Sequence, residues 1–104
     1  MRAVLMGMAA GSVLLLAGTA AHADAALATS SGCLNCHQVE VKTVGPALKD
    51  MAAKYAGDAG AGAMLAGKIK NGSNGVWGAI PMPPNAAVSD ENAKVLADWI
   101  LTLK

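Results

Sequence analysis

With 104 residues and a formal charge of +1, the chain has room for one domain and lacks the basic excess of a nucleic-acid-binding module. Aromatics make up 3% of it, Phe is absent and only two Cys are present, so neither a bulky aromatic core nor a dense disulfide scaffold is available. A domain this small commonly needs a staple, such as a metal or a cofactor, to complete its core.

The chain opens as an export signal. Met1-Arg2 gives a positive start, Ala3 to Ala20 is apolar or small, and Ala21-His22-Ala23 is an A-x-A cleavage site, which predicts a mature chain beginning at Asp24. The run approaches the ~20 residues of a spanning helix. Gly7, Gly11, Ser12, Gly18 and Thr19 dilute it, however, and no Cys is placed for a lipid anchor, so no stable membrane insertion is expected after cleavage. Residues 1–23 are thus the signal peptide and 24–104 the functional domain, in which seven Lys balance seven acidic residues.

Asp24 to about Ser31 is Ala-rich and helical by propensity, stopping at Gly32. Leu48, Met51, Ala52 and Tyr55 fall at i, i+3, i+4 and i+7, behind Pro46 and ahead of Gly57, and predict an amphipathic helix. The small residues from Gly57 to Gly62 read as a turn between helices. A third helix is expected from about Ala61 to Lys70, carrying Leu65 and Ile69, weakened by Gly62 and Gly67 and stopped by Asn71-Gly72. The last helix has the strongest signals: Ser89 as N-cap, Asp90 and Glu91 at the positive end of the dipole, and Lys104 near the negative end. Val95, Leu96, Trp99, Ile100 and Leu103 form its expected buried face. No stretch alternates with period two, so the fold class is all-α, with about four short helices. Residues 73–88 hold three of the four Pro and cannot be helical; a loop of that length in so small a domain is expected to position something.

Cys33-Leu34-Asn35-Cys36-His37 is a C-x-x-C-H sequence, the attachment signature of a c-type haem. Two thiols three positions apart on one turn can form thioethers with the two vinyl groups of a single haem, while the adjacent His reaches the iron. A zinc site is short of ligands, because His37 is the only His left after cleavage. A thioredoxin-like disulfide lacks its βαβ setting. A haem c, one per chain and covalently bound, is therefore the expected cofactor, with His37 as an axial iron ligand. A low-spin electron-transfer haem needs a second axial ligand, for which Met is the expected partner. Of the three mature candidates, Met51 falls on a helical stripe and reads as core, and Met64 as core or surface. Met82 lies in Ile80-Pro81-Met82-Pro83-Pro84-Asn85, where prolines hold the backbone extended, and is the expected distal ligand.

From about Gly32 to Lys104 the chain resembles the small bacterial class I cytochromes of the cytochrome c-551/c-552 type. The resemblance is carried by C-L-N-C-H, V-G-P-A-L-K-D, K-I-K-N-G-S-N-G-V-W-G and I-P-M-P-P-N. It implies a class I cytochrome c fold wrapped around one haem. It also implies that the Pro46 carbonyl accepts from the His37 ring, that Trp77 and Lys68 lie at haem propionates, and that Asn85 lies near the Met82 sulfur. Lys68 stands where some relatives carry Arg, which removes a bidentate contact; an apparent extra Ala follows Asn85, and Ala28 and Tyr55 stand where relatives may carry Phe.

The function implied is that of an electron-transfer protein, not an enzyme: a periplasmic, monomeric carrier working by one-electron outer-sphere transfer. A bc1-type complex would be its donor and a cytochrome oxidase or nitrite reductase its acceptor. The alternative is a haem enzyme or sensor with an open distal site, in which Met82 does not bind.

Overall fold

The computed structural model describes residues 24–104; the export signal and cleavage site expected from the sequence lie outside the described residues. Within that range four α-helices form: α1 over residues 24–30, α2 Leu48–Lys54, α3 Ala61–Asn71 and α4 Asp90–Leu101, with a 3-10 turn at Cys33–Asn35. None of these helices is long and apolar enough to cross a membrane.

Each helix end has an identifiable cause. α1 stops because Gly32 takes φ +80°, a left-handed conformation that glycine adopts without penalty, and the chain drops directly into the 3-10 turn. At α2, Ala47 is the N-cap and offers no side-chain oxygen, and Pro46 stands one residue ahead of it rather than in the first turn. The orphan donors there are met by backbone instead: Leu48 N–H donates to the Gln38 carbonyl at 2.9 Å and Lys49 N–H to that of Val39 at 3.1 Å. The loop from His37 to Pro46 is thereby tied to the helix that follows it. α4 is capped as its sequence predicts, Ser89 Oγ accepting from Asn92 N–H at 3.1 Å. It ends at Leu101, three residues before Lys104, with Thr102 Oγ1 donating to the Trp99 carbonyl at 2.6 Å.

α4 packs on both α3 and α2. Its buried face is Ala93, Leu96, Ala97 and Ile100, whereas Val95 is 40% exposed and Trp99 and Leu103 are half-buried. The face is rotated from the one expected because the small side chains of Ala93 and Ala97 let the neighbouring helices come close, which no scale of bulk hydrophobicity rewards. The close approach recurs at Gly62, where a Cβ would stand 2.9 Å from Asp98 Oδ1 of α4. That glycine therefore belongs to the helix rather than to the turn before it. Alanine supplies half of the buried apolar residues, namely Ala28, Ala47, Ala52, Ala61, Ala93 and Ala97. A core made this way is tight but thin, and it leaves the space between α2, α3 and the long loop unfilled.

Gly67, inside α3, has nothing within 4 Å of where a Cβ would go. Gly67→Ala is expected to stabilise the protein by about 0.5–1 kcal/mol, through lower unfolded-state entropy alone. An unchanged or lower denaturation midpoint in guanidinium would contradict that.

Candidate haem site

The unfilled space is a cavity of about 340 Å³, within the usual range for cofactor sites. One wall comes from the segment after the C-x-x-C-H turn, a second from α2 and α3, and a third from residues 73–83.

The first wall is built around His37, which is 8% exposed and the one buried polar side chain among the described residues. The 3-10 turn places it: Cys36 N–H and His37 N–H both bond the Cys33 carbonyl, at 3.2 and 2.9 Å. The chain then loops back, and Thr43 Oγ1 and Gly45 N–H both donate to the Cys36 carbonyl, at 2.8 and 2.7 Å. This return brings the Pro46 carbonyl to 2.8 Å from His37 Nδ1. A carbonyl only accepts, so Nδ1 carries a proton, and of the two neutral tautomers this is the one whose Nε2 lone pair can ligate a metal. The contact that the resemblance implied for Pro46 is present in the structure.

Gly45 makes the arrangement possible. A Cβ on it would stand 2.6 Å from His37 Cε1 and 2.8 Å from Nδ1, and the ring cannot swing aside without breaking its bond to Pro46. Gly45→Ala is expected to cost the holoprotein about 1–3 kcal/mol by overpacking and to shift its reduction potential. Denaturation and potentiometry on the same sample check both, and a wild-type denaturation midpoint would contradict the clash.

The two thiols are not bonded to each other. Cys36 is exposed at the cavity, whereas Cys33 is half-buried against the core and is not part of the cavity wall. Burial pushes the Cys33 thiol up from its ordinary value, with its backbone hydrogen bond opposing more weakly. That is the reverse of the lowered thiol that a thioredoxin-like centre uses.

Met82 is held on the third wall by an antiparallel bridge to Ser73, with Ser73 N–H to Met82 O at 3.0 Å and Met82 N–H to Ser73 O at 2.9 Å. The bridge depends on Gly72, at φ +82°, where a Cβ would stand 2.6 Å from the Met82 carbonyl oxygen. The long loop is therefore pinned by this bridge rather than wholly irregular. Met51 and Met64 also line the cavity, as does Tyr55. The stripe read from the sequence of α2 serves two surfaces: Leu48 and Ala52 are buried, while Met51 and Tyr55 pack against the core and also line the cavity.

Trp77 and Lys68 line the cavity as well. Its charged lining residues are Lys42 and Lys68, and no carboxylate is among them. Asn85 stands apart from the wall. Its Nδ2 donates to the Ser31 carbonyl at 2.9 Å and its backbone N–H to that of Ile69 at 2.9 Å, so it ties the end of the Met82 loop to the turn after α1 and to α3.

Two thiols, an imidazole with a free Nε2, a thioether and an apolar cavity with only cations among its charges fit a haem with its two carboxylates. The comparisons agree. The Cytochrome c family model matches residues 22–104. The chain is 64% identical over 104 residues to cytochrome c-552 of Nitrosomonas europaea, with both chains covered completely. It is 54% identical over 100 residues to cytochrome c-551 of Pseudomonas aeruginosa, covering 96% of this chain and 95% of the relative. The crystal structure of the wild-type Nitrosomonas europaea cytochrome c552 superposes with a TM-score of 0.76 at 69% identity, over 77% of this chain and 99% of that one. With a match that runs from end to end of the relatives, the chain belongs to the cytochrome c family and is an electron carrier with one covalently bound haem c.

Proposed function

We propose that Cys33 and Cys36 carry the thioethers, that His37 and Met82 are the two axial iron ligands, and that the mature chain from Asp24 works as a monomer in the periplasm. There it would pass single electrons from a bc1-type complex to a terminal oxidase or a nitrite reductase. The observation that carries the reading is the His37–Pro46 hydrogen bond of 2.8 Å, which selects the tautomer able to ligate through Nε2, in a residue that lines the same cavity as Met82. The periplasmic setting rests on the export signal of residues 1–23.

When bound, the haem supplies a one-electron Fe(II)/Fe(III) couple. The chain's own residues decide how that couple is used. Pro46 fixes the imidazole and strengthens it as a donor. Met82, a soft thioether, favours the reduced state and raises the potential. Lys42 and Lys68, the charged residues of the lining, would hold the carboxylates of the group, and Trp77 of the same lining would offer its indole N–H. With His37 and Met82 at both axial positions, no site remains for a substrate, so the electron crosses without a bond being made.

Partner contact is assigned to the mouth. Val44, Val76 and Ile80 line it and are 52%, 41% and 66% exposed, with Gly78, Ala79 and Pro81 beside them. A small face built from these apolar residues suits a weak and quickly dissociating interface.

Carbon monoxide added to the reduced holoprotein at neutral pH separates a carrier from a haem enzyme or sensor. A filled distal site leaves the spectrum unchanged. Rapid binding would overturn the reading and favour an open site.

A further inference from the structure

Between Ser73 and Met82 the chain leaves the bridge and returns to it through residues 74–81. None of these residues makes a hydrogen bond, by backbone or side chain, to the rest of the described chain. None belongs to the core cluster or to the residues packed against it. Gly75 and Gly78 take φ +74° and +123°, so the backbone has little intrinsic stiffness ahead of Pro81. All of the segment is exposed except Trp77, which is half-buried. Yet this loop forms one whole side of the cavity mouth.

Its tether is a cation. Lys54, the last residue of α2, places Nζ 5.2 Å from the centre of the Trp77 ring and 5.9 Å from that of Tyr55. Both distances lie within reach of a cation–π contact. Lys54 takes part in neither of the ion pairs among the described residues, so no carboxylate competes for its ammonium. Two of the chain's three aromatic residues thus share one lysine at the edge of the site.

We propose that Lys54 is a positioning residue for Trp77: its ammonium, held between the Tyr55 and Trp77 rings, latches the 74–81 loop over the cavity mouth and limits solvent access to the haem. The latch joins the end of a packed helix to a segment that no hydrogen bond within the described chain holds between its two bridge residues. Release of Trp77 lets water into the mouth, and solvent exposure is one of the levers that set a haem potential. Both effects are read on the holoprotein and rest on the haem-site reading above.

The test uses the reduced holoprotein with Lys54→Met, which keeps the aliphatic stem, and Lys54→Arg, which keeps the cation. Exchange of the Trp77 indole N–H with solvent, read by NMR, is expected to accelerate about two- to five-fold in Lys54→Met and to return to the wild-type rate in Lys54→Arg. Trp99, half-buried on α4, is the internal control and is expected not to change. The midpoint potential falls in Lys54→Met and recovers in Lys54→Arg. Unchanged Trp77 exchange in Lys54→Met overturns the proposal even if the potential falls, because loss of a charge alone lowers it. Faster exchange with an unmoved potential, or no recovery in Lys54→Arg, also overturns it. An unaltered low-spin absorption spectrum in both variants shows that such a failure belongs to the latch and not to the haem site.

Discussion

Met82→Ala is expected to turn a low-spin haem protein into a high-spin one that binds carbon monoxide, and to lower its reduction potential by a sizeable part of the ~0.8 V over which axial ligands move haem potentials. A thioether stabilises the reduced iron, and alanine puts no donor in its place. The fold should survive, because the Ser73–Met82 bridge is made by backbone groups that alanine retains. The essential controls are Met51→Leu and Met64→Leu, since both side chains also line the cavity. Each is a volume-conserving swap expected to cost under about 1.5 kcal/mol and to leave the spectrum low-spin. A Met82→Ala protein that stays low-spin, or a Met51→Leu or Met64→Leu protein that does not, would reassign the ligand.

Cys33→Ala/Cys36→Ala is the second large effect: with both thiols gone, acid-acetone is expected to extract all the haem, and the remaining polypeptide should not melt cooperatively. The estimate is direct. At about 24 cal/mol per Å³, emptying a cavity of about 340 Å³ costs up to about 8 kcal/mol, an upper figure because water can enter at the mouth. A domain of roughly 80 residues has a total stability of only about 4–12 kcal/mol. The thin core offers little in reserve, since half of its buried apolar residues are alanine and Leu48 and Leu96 are its largest fully buried side chains. Native-like circular dichroism and a sharp thermal transition in the haem-free variant would contradict this account.

Much of the architecture could be read from local signals. Ser89, Asp90 and Glu91 announce α4, Gly32 and Gly72 end the helices before them, and the prolines at 81, 83 and 84 keep the Met82 loop out of helix. These signals act over a few residues, so one sequence carries them whole. The cavity walls are another matter. Periodicity finds a stripe on α2 but cannot show that Met51 and Tyr55 line the cavity as well as packing on the core, because both surfaces are apolar. On α4 the bulk of Val95 and Leu103 outweighed Ala93 and Ala97, although helix packing selects the smaller pair. Met64 and Lys54 gain their roles only from loops far away in sequence, and no local pattern marks them. Asn85 lies three residues from Met82, yet its amide is used to hold Ser31, just ahead of the C-x-x-C-H turn.

The glycines show why identity at single positions carries so much. Gly45 and Gly72 sit on opposite walls, one against the His37 ring and one against the Met82 carbonyl. Each leaves room for one of the two proposed ligands where a methyl group would force it away. Neither stands out in composition, and both follow directly from where a Cβ would fall.

The measurement that bears most directly on the central claim is the absorption spectrum of the exported, purified protein, oxidised and dithionite-reduced, followed by acid-acetone extraction of the same sample. Low-spin spectra in both oxidation states, with the colour remaining on the polypeptide, are the predicted result. A high-spin ferric spectrum, or a colourless protein after extraction, would contradict a haem held covalently by Cys33 and Cys36 and axially by His37 and Met82.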